Sequence, residues 1–100
     1  MSSDQSYNPA TPPSSEAWLT LSEQRRHDIV ATFHRVNRLK SGDANLHAAM
    51  HVIVENQIAM GFNPTVRAME RLQTQGLSRH DAVHAIGSVP ALLILTRSPL

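Results

Sequence analysis

Four of the chain's six histidines fall in two pairs of identical spacing. His47 and His51 stand four residues apart and are followed at the same interval by Glu55; His80 and His84 repeat the spacing, with Asp81 between them. On a helix, residues four apart share one face, so each set aims its side chains along one strip. Imidazole nitrogens and a carboxylate gathered at one place are the usual ligands of a transition metal. There is no cysteine, so thiolate sites and disulfides are excluded and a metal here must be held by nitrogen and oxygen.

For the two pairs to meet, their helices must lie side by side. Residues 1–15 are rich in Ser, Pro and Asn and offer little to bury, so they read as a disordered tail before a helical domain over 16–100. Thr20-Leu-Ser-Glu23 has the form of a capping box. Trp18, Leu21, Ile29, Phe33 and Val36 then recur at helical spacing, which predicts a first helix over about 21–39, ended by Ser41-Gly42. Asp43 can cap a second helix over about 44–60, with Leu46, Met50, Ile53, Val54 and Ile58 on its apolar face and Gly61 at its end. Asn63-Pro64 predicts a third helix, with the Asn as cap, Val66, Ala68, Met69 and Leu72 turned inward, and a stop at Gly76. Ser78-Arg-His-Asp81 is a second capping box, opening a fourth helix that carries Ala82, Val83, Ile86 and Val89 and is broken or kinked by Pro90. No strand pair is evident. The expected fold is an all-α bundle of about four helices.

Short connections make neighbouring helices antiparallel. His47 and His51 then lie near the start of the second helix and His80 and His84 near the start of the fourth, at one end of the bundle. The first helix runs the other way, so His34, near its end, reaches the same level. The predicted site gathers His47, His51, His80 and His84, with Glu55 one turn deeper as a further ligand and Asp81 or His34 as supporting groups or extra ligands. With mostly nitrogen donors zinc is the default ion, and iron, nickel and manganese are the alternatives. The competing reading is that both spacings arise by chance in ordinary helices and the histidines are surface residues. His27 and His34 are singletons that by themselves read as structural or exposed residues, and Met50, Met60 and Met69 read as core filler.

Composition narrows the function class. One hundred residues, 41% hydrophobic and only 4% aromatic, allow one small aliphatic core. A net charge of +1 with both signs interspersed gives no footprint for nucleic acid or an acidic membrane. The first residues lack the basic start and apolar stretch of a secretory signal, and no run approaches a membrane span, so a cytoplasmic protein is expected.

The enzymatic uses of such a site are poorly supported. His80-Asp-x-x-His84 is similar to the zincin motif with Asp for Glu, but a zincin also needs a substrate cleft for which this chain lacks the mass. All-helical phosphohydrolases with a His…His-Asp…Asp set need a later Asp, and Asp81 is the last acidic residue. Di-iron carboxylate bundles need several inward Glu, where only Glu55 is placed. No nucleophile elbow and no glycine-rich phosphate loop is present. The expected role is therefore a metal site that is structural or regulatory. One alternative is a metal-free interaction domain in which the apolar run Ala91–Leu95 forms a homodimer or meets a protein partner. The other is a small metal-dependent hydrolase.

Two segments, Leu46–Ala59 (LHAAMHVIVENQIA) and Gly76–Ser88 (GLSRHDAVHAIGS), carry a resemblance. The chain resembles a family of small uncharacterised bacterial helical domains that combine H-x-x-x-H-x-x-x-E-N-Q with a later R-H-[DE]-A-x-H-x-I. Trp18, the Leu21-Ser-Glu-Gln-Arg25 stretch and Phe33-His34 also fit, so the resemblance spans about residues 16–89. The family has no assigned activity, and what it implies is a shared fold and a shared site. The chain departs from the pattern at Asp43-Ala44, where Asn-Pro is usual, at Asp81, where Glu is common, and at Pro90 with the apolar run beyond it.

Overall fold

The computed structural model describes residues 6–36 and 44–88. These form five helices and no strand: α1 (Ser15–Thr20), α2 (Glu23–Val36), α3 (Ala44–Ala59), α4 (Asn63–Thr74) and α5 (Arg79–Gly87). The protein is a small all-α bundle. None of its described helices is long and apolar enough to cross a membrane.

α3 is the axis of the fold and packs against each of the other four helices. On one side its Ala48 and Val52 join Tyr7, Trp18, Ile29 and Val30. On the other its Val54 joins Met69 of α4 and Ala82, Val83 and Ile86 of α5. Val30, Val54 and Val83 are fully buried, and each such side chain contributes about 1.5–3 kcal/mol of transfer free energy. A helix surrounded in this way draws the polar residues between its apolar stripes into the interior as well.

The ends of the helices follow local chemistry. α3 and α4 each close with a glycine in the left-handed region, Gly61 at φ 74° and Gly76 at φ 104°, where a Cβ would be strained. Past each glycine the next amide reaches back to the third-last helical carbonyl, Phe62 to Gln57 at 2.8 Å and Leu77 to Leu72 at 3.1 Å, the pairing of a Schellman motif. Ser78 caps α5 as expected, its hydroxyl accepting from the Asp81 amide at 3.1 Å.

Three expectations are revised. The first predicted helix starts at Glu23 and is preceded by an unexpected short helix, α1. Leu21 is extended (ψ 147°), and Ser22, not Thr20, caps α2 by accepting the Arg25 amide at 3.0 Å. Thr20 instead turns its hydroxyl back to the Ala17 carbonyl at 2.7 Å, closing α1. Arg26 then covers the exposed end of α1, donating to the carbonyls of Trp18 and Leu19. In α4, Asn63 is the first helical residue and Phe62 the cap, with no side-chain cap bond. Finally, residues 6–15 of the expected tail are ordered parts of the fold, Ser15 opening α1. In this segment Tyr7 is buried in the core and Pro9 is fully enclosed. The ends expected at Ser41-Gly42 and Pro90, the Asp43 cap and the Ala91–Leu95 run lie outside the described residues.

Candidate metal centre

Four imidazoles from three helices meet at one end of the bundle: His34 of α2, His51 of α3, and His80 and His84 of α5, their nearest ring nitrogens all within 4.8 Å of one another. His84 is at the middle. Its Nε2 lies 2.9 Å from His51 Nε2, 3.1 Å from His80 Nε2 and 3.2 Å from His47 Nε2. Tetrahedral zinc with bonds of about 2.0–2.1 Å holds its nitrogens roughly 3.3–3.4 Å apart. The contacts to His84 Nε2 fall a few tenths of an ångström short of that spacing, and the four grouped nitrogens lie within 4.8 Å.

The chemistry of the donors points the same way. His34 Nδ1 lies 2.9 Å from the Val30 carbonyl, and a carbonyl only accepts, so Nδ1 carries the hydrogen and Nε2 presents its lone pair. That Nε2 is buried and has no hydrogen-bond partner. His51 Nδ1 lies 3.0 Å from the Tyr7 hydroxyl, whose single hydrogen goes to Glu55 Oε2 at 2.6 Å. The Tyr7 oxygen must therefore accept from His51 Nδ1–H, and His51 Nε2 likewise points a bare lone pair into the cluster. One N–H on His84 could serve only one of its three neighbours. A cation at the centre serves all of them.

The surroundings disfavour the charged form of His47, His51, His80 and His84. Burial and then the neighbouring histidines lower the pKa of His51 to about 2. Burial, His47 and His80 lower that of His84 to about 4. His47 and His80 are shifted down as well, by burial first and then by His34. Asp81 opposes the shift at His80 and His84. Neutral imidazole is the form that binds metal. Phe33 walls the cluster, edge-on to His34 and His80 at ring separations of 5.4 and 5.7 Å.

Each residue singled out in the sequence can now be placed. His51, His80 and His84 are in the group, and His47 stands at its half-buried edge, its ring 4.4 Å from that of His34. His34, expected as a supporting group or extra ligand, supplies one of the grouped nitrogens. Asp81 is exposed on the first turn of α5. Glu55 does not join the cluster. Its two oxygens accept from Arg79 Nη1 and Nη2 at 2.8 Å each, and one also from Tyr7. An ion pair of this completeness leaves the carboxylate turned toward Arg79 and away from the nitrogens. Burial by itself lowers the Arg79 pKa, but the hydrogen bonds and charge of Glu55 outweigh it and raise the net value.

The two residues after Glu55 have comparable duties. Asn56 Oδ1 accepts from Trp18 Nε1 at 2.8 Å and Arg26 Nη1 at 3.0 Å, while its amide donates to Glu23. Gln57 Oε1 accepts from the buried Thr65 hydroxyl. Glu55-Asn56-Gln57 thus ties α3 to α5, to α1 and α2, and to α4 in three consecutive positions. Three successive polar residues inside an otherwise apolar helix were the available signal for this role.

No protein-family model, no curated protein and no solved structure matches this chain.

Proposed function

We propose that the protein binds one transition-metal ion, zinc foremost, through His51, His80, His84 and His34, with His47 at the mouth of the site, and that the ion staples α2, α3 and α5 together. The observation that carries this reading is the gathering of one ring nitrogen each from His34, His51, His80 and His84 within 4.8 Å, with the Nε2 atoms of His51 and His80 at 2.9 and 3.1 Å from His84 Nε2. All donors are nitrogen, which favours zinc, nickel or iron over manganese and over oxygen-seeking cations. Four or five imidazoles close the coordination shell, as structural sites do, whereas a catalytic zinc keeps a position for water. That supports a stapling or regulatory role over hydrolysis. Both motifs on which the family resemblance rests fall on the cluster or on the residues behind it, which supports reading the chain as a relative of those small helical domains.

The test is elemental analysis of protein prepared without an affinity tag, incubated with zinc and freed of unbound ion. About one ion per chain is expected, lost in His51→Ala/His84→Ala. Metal content at background in the wild type would overturn the proposal.

A further inference from the structure

We infer that Tyr7 is a positioning residue of the metal centre, working through His51 with Glu55 and Arg79 behind it. The inference rests on the metal reading above and deepens it, because it assigns the N-terminal segment a part in the site. The four groups form one chain of hydrogen bonds. Arg79 donates to both oxygens of Glu55, Glu55 accepts the Tyr7 hydroxyl hydrogen, and the Tyr7 oxygen accepts His51 Nδ1–H. All four side chains are buried.

Each link fixes the direction of the next. Both Glu55 oxygens accept from the bidentate Arg79 guanidinium, so the Tyr7 hydroxyl, whose oxygen faces a carboxylate, points its hydrogen at Glu55. The tyrosine can then offer His51 only an acceptor. His51 is thereby confined to the tautomer whose Nε2 lone pair faces His84, with its ring held edge-on to Tyr7 at 87°. Burial and the adjacent Glu55 charge push the Tyr7 pKa far up, so the phenol stays protonated and the pattern holds. A partner on the remote nitrogen orients a ligating imidazole and makes the ligating nitrogen more basic. His34 gets the same service from the Val30 carbonyl. His51 obtains it from a residue 44 positions away.

Tyr7 is carried by a segment that composition marks as a tail, and Arg79 fastens that segment a second time by donating to the Pro9 carbonyl at 3.1 Å. The same guanidinium therefore orders the carboxylate behind the tyrosine and the backbone that delivers it.

Tyr7→Phe is the decisive variant, since it keeps the ring against Trp18 and Phe33 and removes only the hydroxyl. Met69→Ala, in the other core cluster, is the control that destabilises without touching the relay. Long-range 1H–15N spectra of the metal-free proteins should show His51 as the Nδ1–H tautomer in the wild type and in Met69→Ala, and a shift toward Nε2–H in Tyr7→Phe. Cobalt(II) titration should give a Kd about 10–100-fold weaker in Tyr7→Phe and unchanged in Met69→Ala. An Nε2–H tautomer in the wild type, or equal cobalt affinity in Tyr7→Phe and wild type, overturns the relay. Should the wild type take up no cobalt, the metal reading fails, while the tautomer spectra still decide what Tyr7 does.

Discussion

Arg79 and Glu55 face each other in the interior with two parallel hydrogen bonds of 2.8 Å, one to each carboxylate oxygen. Their side chains are 5% and 1% exposed, so neither charge has water to fall back on. A buried pair of this kind costs much to desolvate and returns that cost only while both partners are present.

Removing one partner should therefore destabilise far more than removing both. Glu55→Gln is predicted to cost about 3–5 kcal/mol in urea unfolding, because it strands the Arg79 charge. Glu55→Leu/Arg79→Met should recover most of that loss. Both variants should still bind one metal ion, since Glu55 is not among the converging donors. If Glu55→Gln unfolded at the wild-type midpoint, the pair would have no such weight. Breaking the relay behind His51 can weaken binding by about 10–100-fold; if Glu55→Gln bound no metal even well beyond that range, Glu55 would be a ligand after all.

Metal removal is predicted to loosen the fold. An ion present at 100 times its Kd stabilises the native state by about 2.7 kcal/mol, which is roughly 10–20 °C in Tm for a domain of this size. Treatment with a chelator should lower the zinc-loaded Tm by that amount. His51→Ala/His84→Ala should show no response to zinc or chelator. A wild-type Tm indifferent to both would exclude the stapling role.

Acid should also destabilise the metal-free protein, and the direction follows from the lowered pKa of His51. Between the unfolded value of 6.5 and the folded value of about 2, the unfolded chain holds a proton that the folded chain refuses. Stability is full above pH 6.5 and declines as pH falls through this window. At pH 5.5 the expected loss from His51 alone is about 1.4 kcal/mol relative to neutral pH. Urea midpoints at pH 7.5 and 5.5, in wild type and in His51→Gln, measure it. A wild type no more acid-sensitive than His51→Gln would contradict the assignment.

Much of this was legible from residue spacing, for identifiable reasons. The Ser78 cap and the glycine ends at Gly61 and Gly76 act through contacts within a turn, and the paired histidines share a face because helices have a fixed period. His34 was brought beside the pairs only by helix direction, as a supporting group or extra ligand, because a singleton has no spacing of its own to mark it. At Glu55 spacing and contacts point to different partners. Its interval from His51 is that of a ligand, and the competing partner, Arg79, sits 24 residues away with no motif to announce it. Tyr7 was illegible for a different reason. Its segment has no hydrophobic period, and its burial comes from one aromatic ring and two hydrogen-bonded anchors.

The approach of α3 to α5 beside the metal centre depends on Gly87. A Cβ at Gly87 would overlap the Met50 thioether, so the two helices pass here with only a hydrogen between backbone and side chain. Met50 directly precedes His51, and Gly87 lies just under a turn beyond His84, so this contact helps set the 2.9 Å spacing of the two Nε2 atoms. Gly87→Ala should force the helices apart or displace Met50, at a cost of about 1–3 kcal/mol, and should weaken zinc binding by widening the His51–His84 gap. Met50→Ala alone removes half-buried volume without pushing α5 away. The double variant Met50→Ala/Gly87→Ala has room for the new methyl, so its destabilisation should fall short of the two single effects combined, by about 0.5–3 kcal/mol of coupling. Its zinc affinity should return toward that of Met50→Ala. Additive stabilities across the four proteins, together with unaltered zinc affinity in Gly87→Ala, would mean that this close approach has no part in holding the histidines at their spacing.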